Sequence, residues 1–198
     1  WSLFIRRAVR CCDTLIGVSE CISEEIRSEW PEAGDRVHTV RNVVSRDLLD
    51  GPVNRPDDDL RGWLRDWRRG GGSVALTVGT VEPRKRPKDF VACGRRLAEA
   101  GRDIALVWVG RSGWKADETL RAFENCSNIL WTGGVDDAEL RWFYRETDCF
   151  VSFSEYEGFG LPVLEAMSWG LPIAVTDICS YREVTEGAAR YFAVGDVD

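Results

Sequence analysis

The chain has 198 residues, 44% hydrophobic and 30% charged, enough for one ordinary α/β domain plus a remnant of another. A net charge of −7 lacks the broad basic field that holds a nucleic-acid strand, although a small anion needs only a local group of cations and backbone N–H groups. No apolar run reaches the about 18 residues of a membrane span. The first residue is Trp with no signal-peptide pattern behind it, so the start is expected to be a cut within a longer protein. The 7 cysteines form no C-x-x-C pair and His38 is the only histidine, which argues against a structural zinc site. They read as buried free thiols of a reducing cytosol. His38 is assigned no catalytic role.

In chain order, residues 1–12 are expected to be helical, 13–19 a strand, and 20–30 a helix capped by Ser19. Residues 31–35 have linker composition, and a domain boundary is placed near residue 35, dividing 1–35 from 36–198. Residues 36–44 read as a strand. The stretch 45–72 contains two prolines, a run of aspartates, a run of glycines and one short helix with Leu60, Trp63, Leu64 and Trp67 at i, i+3, i+4 and i+7. The Trp pair fits an ordinary packed face better than a platform for stacking sugars.

From residue 73 onward, short apolar runs alternate with amphipathic helical segments. The runs lie at 74–79, 104–110, 128–133, 148–154, 172–177 and 190–194. All are apolar on both faces, as buried parallel strands are. Helices are expected over 87–100, 115–125, 136–147, 162–169 and 180–186. The fold class is therefore α/β, a doubly wound, Rossmann-like parallel sheet with its ligand site at the carboxyl ends of the strands.

One segment concentrates the chemistry. Glu157–Met167 (EGFGLPVLEAM) follows the run 148–154, so Glu157 leaves the carboxyl end of a strand. Gly158 and Gly160 let the chain turn sharply. Pro162 suits the first turn of a helix whose free N–H groups can meet a phosphate. Glu165, one turn into that helix, can accept hydrogen bonds from a vicinal diol such as ribose. Seven residues separate the two glutamates, so they can grip different parts of one extended ligand. Arg84, Lys85 and Arg86 follow the first strand of this sheet, behind Pro83, and are suited to neutralising a diphosphate. Gly79, Gly110 and Arg111 end strands at the same edge. Arg111 is equally compatible with a place in solvent.

This string resembles the E-x7-E motif of retaining glycosyltransferase family 4, which has the GT-B fold. The segments GTVEPRKR (79–86), VGRSGW (109–114), 129–167 and LPIAVTDICSYREV (171–184) are similar to the family pattern too, as are LIGVSE (15–20) and VRNVV (40–44). The combination looks closest to the mannosyltransferases of bacterial polysaccharide synthesis. Two positions depart from the pattern: Tyr181-Arg182 replaces the usual Leu-Pro before Glu-Val, and VRNVV lacks a Gly after Asn.

The resemblance implies that the chain is the C-terminal, nucleotide-sugar-binding half of such an enzyme, preceded by the end of its acceptor domain. Glu157 would contact the transferred sugar. Gly158, Phe159 and Gly160 would hold that sugar through their N–H groups, and those near Leu161 would meet the distal phosphate. Glu165 would bind ribose, and Arg84 and Lys85 the diphosphate. In such a site the cations and the helix start do the work of a metal, so transfer is expected to need no metal or other cofactor. GDP-mannose is the favoured donor and a UDP-sugar the second. The acceptor, a saccharide or lipid-linked hydroxyl, would bind the missing N-terminal domain, so this piece alone is expected to be inactive. The whole protein is expected in the cytoplasm, with peripheral association at the inner membrane face. The rival readings are a non-catalytic scaffold module and a GT-B-like epimerase.

Overall fold

The first elements form a small unit of their own. In a computed structural model, which describes residues 2–197, helix α1 (Ser2–Cys11) leads to strand β1 (Leu15–Gly17) and helix α2 (Glu20–Glu29). Trp1, where the first helix was expected to begin, and Asp198 lie outside the described residues. Ser19 caps α2 as expected, its hydroxyl accepting from the N–H of Ile22. After a 3-10 turn at Pro31–Arg36, strand β2 (Val37–Thr39) pairs in parallel with β1 and with no other strand among the described residues. The two-stranded sheet thus runs past residue 35. Val9, Ala33 and Val37 form its buried core.

Helix α3 (Arg46–Asp50) and helix α4 (Asp58–Arg69) then lead into the main sheet. Asp57 caps α4 by accepting from the N–H of Leu60 at 2.9 Å. Trp63 and Trp67 stack at 5.6 Å and pack against the core, the packed helix face anticipated for them. The remaining elements alternate: β3 (Ser73–Val78), α5 (Pro87–Glu99), β4 (Ile104–Val109), α6 (Asp117–Glu124), β5 (Ile129–Gly133), α7 (Asp137–Glu146), β6 (Cys149–Ser152), α8 (Leu161–Ser168), β7 (Ile173–Thr176), α9 (Cys179–Thr185) and β8 (Arg190–Phe192).

All six strands are parallel, in the order β5-β4-β3-β6-β7-β8. Each strand sends alternate residues to opposite faces. Val74, Leu76, Val107 and Phe150 meet α4, α7, α8 and α9 on one side. Ala75, Leu106 and Trp108 meet α5 and α6 on the other. Burial of both faces explains why the strands read as continuous apolar runs. The chain winds outward one way from β3 and the other way from β6. These adjacent strands form the switch point, where the following loops diverge and leave a crevice. Among the described residues, no helix is long and apolar enough to cross a membrane.

The cysteines depart from the expectation of buried free thiols. Cys21 in α2 and Cys179 in α9 form a disulfide with a Cα–Cα distance of 6.0 Å. Cys11 and Cys12 are exposed, and of the free thiols only Cys126 is buried. The two joined residues lie 158 positions apart, so nothing local signals their meeting. Packing of α2 onto α9 brings them together.

Candidate active site

The crevice at the switch point is lined by the loop after β3 and the loop after β6. The first contains a 3-10 turn, Pro83–Lys85, that turns Arg84 and Lys85 toward the second. The backbone N–H of Glu155 donates to the carbonyl of Arg84 at 2.9 Å and ties the loops together. Glu157 sits between the cations. Its Oε2 accepts from Arg84 Nη1, and its Oε1 accepts from Lys85 Nζ at 2.8 Å and from Ser154 Oγ at 2.9 Å. Arg84 also bridges Glu82 at 2.8 Å and donates to the carbonyl of Tyr156.

Glu157 and Lys85 are each about 10% exposed at the side chain, whereas Arg84 is 41% exposed. Burial alone pushes the Glu157 carboxyl upward. The charge of Lys85, its hydrogen bond and the bond from Arg84 outweigh this and hold the group below its ordinary value. Glu157 is therefore a carboxylate with both oxygens engaged, beside a cation that faces solvent.

Gly79 fits this arrangement because of Lys85. At φ 145° it occupies a region that side chains avoid, and a Cβ there would stand 2.8 Å from Lys85 Nζ. Trp108 Nε1 fixes the Gly79 carbonyl at 2.7 Å, and Trp131 Nε1 does the same for Gly110. Arg111 follows on the same edge, exposed, with its side chain against Gly134 and outside the Glu157 cluster.

The glycine turn runs from Gly158 to Gly160 and opens α8. Ser19 Oγ donates to the Gly158 carbonyl at 2.6 Å, and Phe159 is buried. Gly160 lies at φ 100°, where a Cβ would press into the ring of Tyr181 at 2.8 Å. No described residue accepts a hydrogen bond from the N–H of Phe159, Gly160 or Leu161. Three donors at a helix start, next to two cations, suit an anion.

Glu165 belongs to a second polar pair. Its Oε2 accepts from Tyr144 Oη at 2.7 Å, and Tyr144 is almost fully buried on α7. Burial raises the Glu165 carboxyl above its ordinary value in spite of that bond. The pair has no bond to the Glu157 cluster.

The sequence departure at Tyr181-Arg182 has a structural account. Tyr181 is buried, with its ring under Gly160 and its hydroxyl 2.7 Å from Ser152 Oγ. Arg182 pairs with Asp177 and lies over the Tyr191 ring at 4.6 Å. Glu183, next in line, accepts from the N–H groups of Glu20 and Cys21 at the start of α2, and from Arg41. Tyr156 donates to Glu25 of the same helix at 2.9 Å. Burial and that bond raise the Tyr156 hydroxyl to about 12. Cys21, Ile22, Tyr156, Glu157, Ile178 and Cys179 line a cavity of ≈ 310 Å³ between α2 and the crevice.

The structure thus gathers Glu157, Arg84, Lys85 and Gly79 into one cluster, with Gly158–Leu161 as the adjoining turn. Sequence reasoning missed Ser154, Tyr144 and Glu183, and it gave Ser19 only as a helix cap, without its bond to Gly158. Ser154, three residues before Glu157, had a local signal in its spacing. The others act from distant elements.

This parallel sheet with flanking helices has the fold of the C-terminal domains of GT-B glycosyltransferases. Residues 66–195 match the model of the family described as Glycosyl transferases group 1, and the chain belongs to that family. It is 30% identical over 188 residues to O-antigen chain mannosyltransferase B of Escherichia coli, covering 93% of this chain and 48% of that protein. It is 34% identical over 193 residues to the serotype-specific mannosyltransferase WbdA of the same species, covering 91% of this chain and 23% of that one. The chain therefore spans half or less of these relatives. The crystal structure of Anabaena HepE in complex with UDP and glucose superposes with a TM-score of 0.74 at 14% identity, over 99% of this chain and 53% of that one. At that identity the likeness concerns the fold alone.

Proposed function

We propose that this chain is the donor-binding half of a metal-independent, retaining hexosyltransferase that builds bacterial polysaccharides or glycoconjugates from a nucleotide sugar. The observation that carries the proposal is Glu157 held between Arg84 and Lys85, beside the unpaired N–H groups that open α8. A departing nucleoside diphosphate needs positive potential at its phosphates. Lys85, Arg84 and the helix start supply it, while Glu157 accepts from hydroxyls of the transferred sugar. Glu165, oriented by Tyr144, takes the ribose hydroxyls with its remaining oxygen.

GDP-mannose is the favoured donor, because the relatives named above are mannosyltransferases. HepE, solved with UDP and glucose, keeps a UDP-sugar as the second reading. The acceptor, a saccharide or lipid-linked hydroxyl, binds the part of the whole protein that precedes this chain. We place that protein in the cytoplasm, at the inner face of the membrane.

Thermal melting with GDP, UDP and ADP, each in EDTA, tests the reading. A bound nucleotide at about 100 times its Kd stabilises by ~2.7 kcal/mol, which raises Tm by roughly 5–10 °C for a chain of this size. The shift should survive EDTA and shrink in Lys85→Ala. If no nucleotide shifts the melting curve, the scaffold reading takes its place. Sugar transfer well above background by this chain alone would refute the half-site assignment.

A further inference from the structure

Behind the sheet lies a second cleft that the donor site does not use. Its volume is ≈ 490 Å³, and it is lined by Arg55, Arg61, Arg65, Arg68, Arg69 and Arg145 over a floor of Leu64 and Trp142. Six of the chain's 26 Lys and Arg residues meet here, on a protein with net charge −7. Its place in the fold is fixed by Arg68, which donates to the Glu146 carbonyl and to the carboxylate of Asp148, just ahead of β6. The cleft therefore sits at the amino edge of the sheet, whereas Glu157 follows the carboxyl end of β6.

Ordinary helix chemistry explains only part of this cluster. Arg68 and Arg69 occupy the last turn of α4, where cations suit the helix dipole. They pair with Asp148 and Asp66 at 3.3 and 3.4 Å. Glu146, the single carboxylate in the lining, pairs with Arg145 at 3.0 Å. Arg55 precedes the helix and Arg65 lies in its middle, and neither has a carboxylate partner among the described residues. Arg65 also stands four residues from Arg69, a like-charge spacing that disfavours a helix. A bound anion removes that repulsion. Guanidinium forks match the oxygens of phosphate in pairs, and an apolar floor strengthens such contacts by excluding water.

We propose that this cleft binds phosphate groups, with Arg55 and Arg65 as its free donors. The same chemistry is offered by a soluble phosphate or diphosphate and by an anionic lipid headgroup. The test titrates inorganic phosphate and diphosphate calorimetrically, and sediments the chain with vesicles of phosphatidylglycerol or of phosphatidylcholine. Wild type is compared with Arg55→Ala/Arg65→Ala, and with Arg84→Ala/Lys85→Ala, which alters the crevice instead. Both arginines of the first variant are exposed, so its circular dichroism and Tm should match wild type. The expected result is a cleft site weakened about tenfold or more, or ~1.4 kcal/mol, by the first variant and still present in the second, which loses only the binding that belongs to the crevice. Binding of the soluble anions identifies a free phosphate ligand, and binding of phosphatidylglycerol vesicles alone identifies a headgroup. The proposal is overturned if neither probe binds, if Arg55→Ala/Arg65→Ala binds as wild type, or if binding disappears only in Arg84→Ala/Lys85→Ala.

Discussion

Glu157 and Glu165 are carboxylates eight positions apart whose environments push them in opposite directions, and each shift makes a prediction. Glu157 is held below the ordinary carboxyl value of 4.5 against the upward push of burial, chiefly by Lys85. Its stabilising effect is complete above that value and is lost as pH falls through the lowered one. Urea midpoints on acidification should therefore fall more steeply for wild type than for Glu157→Gln. Lys85→Ala leaves a half-neutralised buried carboxylate and should cost roughly 1–3 kcal/mol, less than for a fully isolated ion because Arg84 remains. Glu165 has the reverse sign. Burial raises it, so the stability it contributes is complete below 4.5 and is lost as pH rises through the raised value. At neutral pH, Glu165→Gln should melt higher than wild type without ligand, yet bind nucleotide more weakly by ~1–3 kcal/mol. A variant that melts lower would remove the assignment of a buried charge. Glu157, Arg84 and Lys85 were legible because each sits in a loop directly after a strand. Tyr144 was not, because its residue type and helical spacing equally describe a core residue, and only the fold aims its hydroxyl at Glu165.

At the scale of elements, the crevice exists because β3 and β6 are neighbours although three helices and two strands separate them along the chain. Apolar runs of this length announce parallel strands, and their alternation with helices announces the doubly wound sheet, so this much was readable. Strand β2 was readable as a strand, but its partner was not. It pairs with β1, because the 3-10 turn at Pro31–Arg36 folds the chain back onto the small unit. That unit is held to the main sheet by α2 against α9. Glu183 accepts two N–H bonds from the start of α2 and one from Arg41, which outweigh burial and keep it ionised as a carboxylate below its ordinary value. Glu183→Ala should loosen α2 at a cost of about 1–3 kcal/mol, seen as faster amide exchange in α2 with β3 and β4 unchanged. Cys21 and Cys179 add a covalent tie across the same contact. Cross-linking positions that far apart stabilises by at most ~5 kcal/mol through the entropy of the unfolded chain. Replacing both cysteines by serine should lower Tm, and dithiothreitol should then have no further effect.

For the molecule as a whole, charge is distributed against its net sign. An acidic protein gathers cations at two edges of one sheet, Arg84 and Lys85 at the carboxyl edge and six arginines at the amino edge. The carboxyl edge could be read from family-like segments and loop positions. The amino edge could not, because Arg55, the arginines of α4 and Arg145 of α7 are joined only by packing. The Cys21–Cys179 bond has a further consequence for how this molecule comes apart. Trypsin cleavage after Arg41 or Arg46, both exposed, would sever the only backbone route between the first two strands and the main sheet. The severed parts should nonetheless migrate as one species on a non-reducing gel and separate into two on a reducing one.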